Sequence, residues 1–154
     1  MLHGQEIHFV SLVDMKNESY KGLSTRIWNH EKLVNNLLLE TKACLLGRKT
    51  YDITNWKGDN LWILTNDVNW KRVGVGTIHN IDDLHLHTEG PIYVLGGSSV
   101  FNLFLDYVDI IHLYTTQDNE GTEPWVDLDY YEWEPIECKV KNLWTHIKLK
   151  RIKS

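Results

Sequence analysis

The sequence predicts an α/β fold, with a central, mostly parallel sheet, helices on both faces and an antiparallel hairpin at the edge. Three observations carry that prediction. Short β-branched apolar runs alternate with segments of helical period through most of the chain. Two of those runs end in glycine and pass directly into a helix start, at Leu46-Gly47-Arg48 and Leu95-Gly96-Gly97-Ser98. The last third alternates apolar and polar residues with no helical period, as a half-buried antiparallel hairpin does.

The elements follow in order. Ile7 to Val13 reads as a first strand, apolar enough to be central. Asp14 to Thr25 is polar, contains Gly22 and has no helical period, so it reads as a long loop, a kind that is more often functional than merely connecting. A helix starts near Asn29, an N-cap residue type, with Leu33, Val34, Leu37 and Leu38 as its buried stripe. Lys42 to Leu46 forms a second strand ended by Gly47, and Thr50 is expected to cap the short helix that follows. Leu61 to Thr65 is a third strand, and Val73 to Ile78, interrupted by glycine, suits an edge. Asn80 to Leu84 reads as a capped helical turn. Ile92 to Leu95 is β-branched and apolar, the pattern of a strand buried on both faces. After its glycines, Ser98 and Ser99 are expected N-caps for a helix carrying Val100, Leu103 and Phe104 at helical spacing. Ile110 to Thr116 is a further strand. Ile136 to Val140 and Leu143 to Ile152 make the closing hairpin.

At 154 residues the chain suits one domain spanning 1–154, large enough to bury a core without metals or disulfides. Hydrophobic residues at 42% and charged residues at 24% fit a soluble globular protein. A formal charge of −5 argues against nucleic acid or an anionic membrane as the main partner. Cys44 and Cys138 lie far apart in no metal-ligand spacing, and Cys44, within an apolar run, reads as a buried reduced thiol. There is no signal-peptide pattern and no apolar run of membrane-spanning length, so a cytoplasmic location is expected.

Chemistry concentrates at the two strand–glycine–helix junctions. In a parallel α/β sheet both fall at carboxyl ends of strands, where ligands bind. Glycine lets backbone approach a ligand closely, and unpaired N–H groups at a helix start favour an anion. The helix dipole disfavours cations at its start, so it does not account for Arg48 and Lys49, whereas a bound phosphate does. The alternatives are a tight turn without ligand and a solvated pair of surface cations. Glu31, beside the apolar stripe, is a second site residue, because a carboxylate facing an apolar pocket has a raised pKa. A surface acid stabilised by the dipole is the other reading. The eight histidines show no HExxH or other ligand pattern, and His85 and His87 read as solvated.

These blocks resemble the dihydrofolate reductase family. Leu45-Leu46-Gly47-Arg48-Lys49-Thr50-Tyr51 resembles its "hMGRKTxE" segment. Tyr93 to Phe101, followed by Phe104-Leu105, resembles "hhhGGxxhYxxFL". Val108 to Leu113 and then Glu120-Gly121-Thr122 resemble the next strand and the "EGDT" loop. The likeness covers nearly the whole chain.

The resemblance implies a dihydrofolate-reductase-like fold and an NADPH-dependent oxidoreductase that reduces dihydrofolate to tetrahydrofolate, a step of one-carbon metabolism. It implies that Gly47, Arg48, Lys49 and Thr50 hold the pyrophosphate and 2′-phosphate of NADPH, and that Leu64, Thr65 and Asn66 line the adenosine site. It assigns Gly96, Gly97, Ser98, Ser99, Val100 and Phe101 to the pyrophosphate and nicotinamide side, with Thr122 in the "EGDT"-like loop. Glu31 falls at the catalytic carboxylate. Ser11, Leu12, Trp28, Leu95, Tyr114 and Thr115 fall on the substrate side. The implied partner is a small pterin, with no nucleic acid, membrane or metal, in a monomer or homodimer. Departures cluster at the substrate end. Thr25-Arg26 stands where the family has Pro-Trp, and Asn35, or Asn36 or Leu37 if the alignment slips, stands where it has an aromatic. The shortened segment Lys57-Gly58-Asp59-Asn60 lacks the family's arginine, and Tyr114 takes the place of its threonine. Reduction of another pterin or a pyrimidine, and a non-catalytic nucleotide-binding or scaffold module, stay open at this point.

Overall fold

The computed structural model describes residues 1–13, 18–19, 40–54, 56, 58–116, 123–124, 130–140 and 144–152. Among the described residues ten strands form one mixed sheet, eight of them in an unbroken row. In chain order those eight are β1 (Ile7–Val13), β3 (Cys44–Gly47), β4 (Leu61–Leu64), β5 (Gly76–Ile78), β6 (Ile92–Gly96), β7 (Ile110–Thr116), β9 (Trp133–Val140) and β10 (Trp144–Arg151). Two short strands, β2 (Glu18–Ser19) and β8 (Glu123–Pro124), pair with each other, and β2 also joins β1 through Val13 and Ser19. The polar segment 14–25 therefore contains a piece of strand, where the sequence suggested loop alone. The expected helix from Asn29 lies outside the described residues.

The order across the sheet is β5-β4-β3-β6-β1-β7-β10-β9. Every neighbouring pair from β5 to β7 is parallel, and β10 then runs antiparallel to both β7 and β9. The expected parallel sheet with an antiparallel edge hairpin is what forms. The strand at the opposite edge is shorter than expected, because Gly74 takes a positive φ of 88° and the pairing begins only at Gly76.

Period-2 alternation sends the strand side chains to two cores. Ile7, Phe9, Leu45, Val94, Ile111 and Leu113 face one side, where Val100, Phe101 and Phe104 of α3 (Ser98–Phe104) and Leu84 of α2 (Leu84–His87) cover them. Val10, Cys44, Leu46, Ile63, Leu95 and Tyr114 face the other, against Tyr51 of α1 (Arg48–Thr54). The described helices thus lie on both faces, as predicted. Cys44 is fully buried and unpaired as a disulfide, and burial pushes its thiol up to about 11, so it stays protonated and inert.

Two capping expectations are corrected. α1 begins at Arg48, directly after the last residue of β3, which puts Thr50 inside the first turn rather than at the cap position. α3 takes Gly97 as its N-cap, in extended conformation and without a side-chain cap bond, so Ser98 and Ser99 are its first helical residues. The Gly97 carbonyl instead accepts from the Val100 and Phe101 amides at 3.1 and 3.0 Å. Asn80 does cap as expected, its side chain accepting from the Asp82 amide at 3.0 Å. His85 and His87 are exposed, as read from sequence, though they sit on the helical turn α2 rather than in a loop.

Candidate functional site

The two glycine junctions become one site through a register shift. β3 and β6 pair Leu45 with Val94 and then Leu46 with Gly96, so β6 carries one extra residue there. Gly96 draws level with Leu46, with φ of 125° and a cis peptide bond to Gly97. A Cβ on Gly47 would lie 2.8 Å from Val100 Cγ2 and within 4 Å of the Gly96 oxygen and the Gly97 nitrogen. A Cβ on Gly97 would lie 3.1 Å from Thr50 Oγ1. Each junction leaves room for the other only because both are glycine.

An open cleft of about 1070 Å³ runs over this crossing. Gly47, Arg48, Lys49, Thr50, Leu64, Thr65, Asn66, Gly97, Ser98, Ser99 and Val100 all line it, so the structure brings most of the expected nucleotide set to one surface. Gly96 and Phe101 are not among the lining residues. The Phe101 side chain is buried in the core with its ring 4.8 Å from that of Phe9. Asp52, Ile53 and Asp67 line the cleft without having been singled out from sequence, and Leu103, read only as part of an apolar helical stripe, is exposed and lines it too. Asp52 was readable, since it lies one helical turn after Arg48.

Arg48 is the charged centre of the cleft. Its Nη1 donates to Asp67 Oδ2 at 3.5 Å, and its Nε lies 3.7 Å from Asp52 Oδ2. These carboxylates account in part for a cation at a helix start, which the sequence left to a ligand. At 40% exposure the guanidinium keeps access to the cleft. Thr65 follows β4 as a turn residue. Its Oγ1 accepts from the Asp67 amide at 3.1 Å, and its carbonyl accepts from His79 Nδ1 at 2.8 Å. These bonds fix the loop carrying Asn66 and Asp67 at the cleft wall.

The substrate-side residues are described only in part. Glu31, Trp28 and Thr122 lie outside the described residues. Ser11, Leu12 and Val13 of β1 pair in register with Leu113, Tyr114 and Thr115 of β7, which gathers four of the expected residues at neighbouring strand ends. Ser11 is 1% exposed, and its Oγ has no hydrogen-bond partner among the described residues. An orphaned buried hydroxyl costs stability and calls for a functional explanation. Leu95 is buried in the same core as Val10 and Tyr114. Burial pushes the Tyr114 phenol up to about 12, so it remains a neutral donor, and its ring stacks on His146 at 4.4 Å. Thr115 Oγ1 donates to the Thr145 carbonyl at 3.4 Å.

With this geometry in view, comparisons with known proteins agree with one another. The family model described as dihydrofolate reductase matches residues 35–146. Dihydrofolate reductase of Staphylococcus aureus strain MSSA476 is 27% identical over 93 residues, and that of strain N315 is 26% identical over 93 residues. Each alignment covers 58% of this chain and 58% of the relative, so the match spans under two thirds of either protein. Among solved structures, dihydrofolate reductase from Enterococcus faecalis complexed with NADP(H) and RAB-propyl superposes with a TM-score of 0.77 at 20% identity. That superposition covers 96% of this chain and 97% of the other, a likeness of fold. Because the family model matches well over half of the sequence, the chain belongs to the dihydrofolate reductase family.

Proposed function

We propose that this chain catalyses the NADPH-dependent reduction of 7,8-dihydrofolate to 5,6,7,8-tetrahydrofolate. The observation that carries the reading is the cleft in which both glycine junctions meet beside Arg48 and Lys49. Its chemistry fits a dinucleotide phosphate. Side-chain-free backbone at Gly47 and Gly97 admits a pyrophosphate closely, and hydroxyls of Thr50, Ser98 and Ser99 offer donors. Arg48 presents a planar fork suited to a 2′-phosphate. That phosphate must compete with Asp67 and Asp52 for the guanidinium, which moderates the preference over NADH.

NADPH, when bound, supplies the hydride that reduces the pterin ring. The chain's own part is binding, orientation and proton management. Glu31 hydrogen-bonds the pterin's amidine edge and thereby favours protonation at N5. Ser11, Leu12, Trp28, Leu95, Tyr114 and Thr115 belong to the pterin side, and Thr122 to the cofactor side. The 154 residues act as one domain, as a cytoplasmic monomer or homodimer. No helix among the described residues is long and apolar enough to cross a membrane.

Tyr114, standing where the family has threonine, favours a second reading in which the substrate is another pterin or a pyrimidine. Lys57-Gly58-Asp59-Asn60 offers a lysine, a point charge without a planar fork, in place of a bidentate arginine, so a glutamate tail gains little affinity. NADPH oxidation with dihydrofolate, a tail-less dihydropterin and a panel of pyrimidines separates the readings. Turnover of dihydrofolate with KM values for the two pterins within about ten-fold is expected, a gap of roughly 1.4 kcal/mol. Turnover of a pyrimidine alone transfers the assignment to it, and no oxidation with any of them removes the reductase reading. Glu31→Gln is expected to lower turnover strongly at neutral pH and less at acidic pH, with NADPH affinity nearly unchanged.

A further inference from the structure

Outside the cleft, three histidines on adjacent strands hydrogen-bond one another in a row. His8 of β1 approaches His112 of β7 through Nδ1 and Nε2 at 3.0 Å, and His112 Nδ1 approaches His146 Nε2 of β10 at 3.2 Å. At the other end His8 Nε2 bonds Glu6 Oε1. The rings are layered, with centroids 5.3 and 5.4 Å apart and interplanar angles of 13° and 27°. The nitrogens are spent on each other rather than aimed at a common point, and among the described residues no cluster is arranged to hold a metal ion.

The proton arrangement follows from the Glu6 end. An ionised carboxylate only accepts, so His8 Nε2 carries a hydrogen and donates to it. Neutral His8 then has a bare Nδ1, which must accept from His112 Nε2–H. His112 in turn accepts at Nδ1 from His146 Nε2–H. Every neutral ring is therefore the Nε2–H tautomer, and all bonds point toward Glu6.

One added proton fits this row. A proton arriving at His146 Nδ1 lets each Nε2 hydrogen pass to the next acceptor, ending as a carboxyl hydrogen on Glu6, with every bond kept and reversed. The outer oxygen of Glu6 can take a proton of its own without disturbing the row, but a second added proton does not fit on the rings, because some bond must then hold hydrogens on both of its atoms. We infer that the Glu6–His8–His112–His146 row is a latch across β1, β7 and β10 whose three rings hold at most one added proton, and that acidification beyond that point opens it. This inference stands apart from the reductase reading and survives its failure.

The surroundings resist the second proton. Tyr93 of β6 lies 4.6 Å from the His8 ring, and the Tyr114 ring covers His146. Lys148 of β10, paired in register with His112, adds positive charge to the same face. On β9, Lys139 opposes His146 while Glu137 opposes Lys148, and the two are bridged to each other at 2.9 Å. Asp109, before β7, adds a weaker attraction at His8. Burial, the first cause in each case, holds all three histidines below their ordinary range, and His112 falls to about 3.

Nitrogen-15 NMR of the histidine side chains, joined to denaturant unfolding from pH 8 to pH 4.5, tests the latch on the whole chain. At pH 8 all three rings should read as Nε2–H tautomers. Near pH 5 the unfolded chain binds about three protons at these rings and the folded rings hold at most one. The unfolding constant should therefore rise at least about a hundred-fold per pH unit, the mark of two protons taken up. In His112→Leu, which cuts the row, the uptake should fall by one proton or more. An Nδ1–H tautomer at any of the three rings at pH 8 overturns the inference. So does an uptake below one in the wild type, or one unchanged in the variant. If His112→Leu does not fold, the tautomers and the wild-type slope decide.

Discussion

The two halves of the sheet are built by different rules. The half made of β3, β4, β5 and β6 is parallel, and its cleft comes from segments continuous in sequence, where strand, glycine and helix follow within a few residues. The half made of β1, β7, β9 and β10 turns antiparallel. Its polar feature, the histidine row, joins residues 8, 112 and 146, which nothing local connects. In the first half the charges are exposed, with Arg48 held between Asp52 and Asp67 at an open cleft. In the second they are buried and closed on themselves, so proton count governs them. A change of solvent composition should therefore strike the two halves in opposite order, with pH acting first on the row and competing phosphate first on the cleft.

The largest expected effect sharpens that contrast. A buried histidine whose pKa is lowered by folding contributes stability in full above the unfolded value near 6.5, and that stability drains as pH falls. His112, at about 3 in the folded state, alone accounts for about 2 kcal/mol lost between pH 7.5 and pH 5. Urea titrations at the two pH values check this, and an unchanged midpoint breaks the contrast. Next comes Gly47→Ala. Its new methyl meets Val100 Cγ2 at 2.8 Å, and Val100 is buried and stiff at χ1. Overpacking of this kind costs about 1–3 kcal/mol, read as a lower midpoint together with weaker nucleotide binding.

Arg151→Lys probes the other half with a smaller loss. Arg151 Nη2 donates to the Leu105 carbonyl at 2.8 Å, its Nε donates to Val108 at 3.0 Å, and its guanidinium lies 4.6 Å over the Trp133 ring. A lysine cannot bridge two carbonyls with a planar fork, so about 1–2 kcal/mol should go, with no change in nucleotide affinity. Arg48→Ala is the smallest. It should narrow the NADPH over NADH preference about ten-fold, or roughly 1.4 kcal/mol, while leaving thermal stability close to the wild type. Equal affinity for both cofactors in the wild type would remove Arg48 from that role.

What the sequence made legible divides along the same line. β1 and β7 are found with the bounds expected, because long β-branched runs between turn residues read without ambiguity. The residues expected on the nucleotide side mostly fall in one cleft, and their grouping was legible because their spacing is local. The caps at Thr50 and Ser98 were misread for one reason: β3 runs directly into its helix and only Gly97 separates β6 from α3, so glycine takes the position a polar cap would fill. Asp67 escaped notice since its link to Arg48 spans two elements. The histidine row was illegible, because placing residues 8, 112 and 146 side by side requires knowing that β1, β7 and β10 are neighbours. Period-2 alternation put each on a face, but no local pattern names the strand across the gap.

Trp70 ties the charged centre of the cleft to something that can be watched. The indole is 3% exposed, edge-on to Tyr51 at 5.5 Å, with the Arg72 guanidinium 4.9 Å over its ring and that of Arg48 6.0 Å away. A ligand that draws Arg48 toward a phosphate changes the field on one buried fluorophore. The difference between wild-type and Trp70→Phe emission then isolates that fluorophore from the other six tryptophans. The protein thus carries its own optical gauge of cleft occupancy, readable without substrate or turnover.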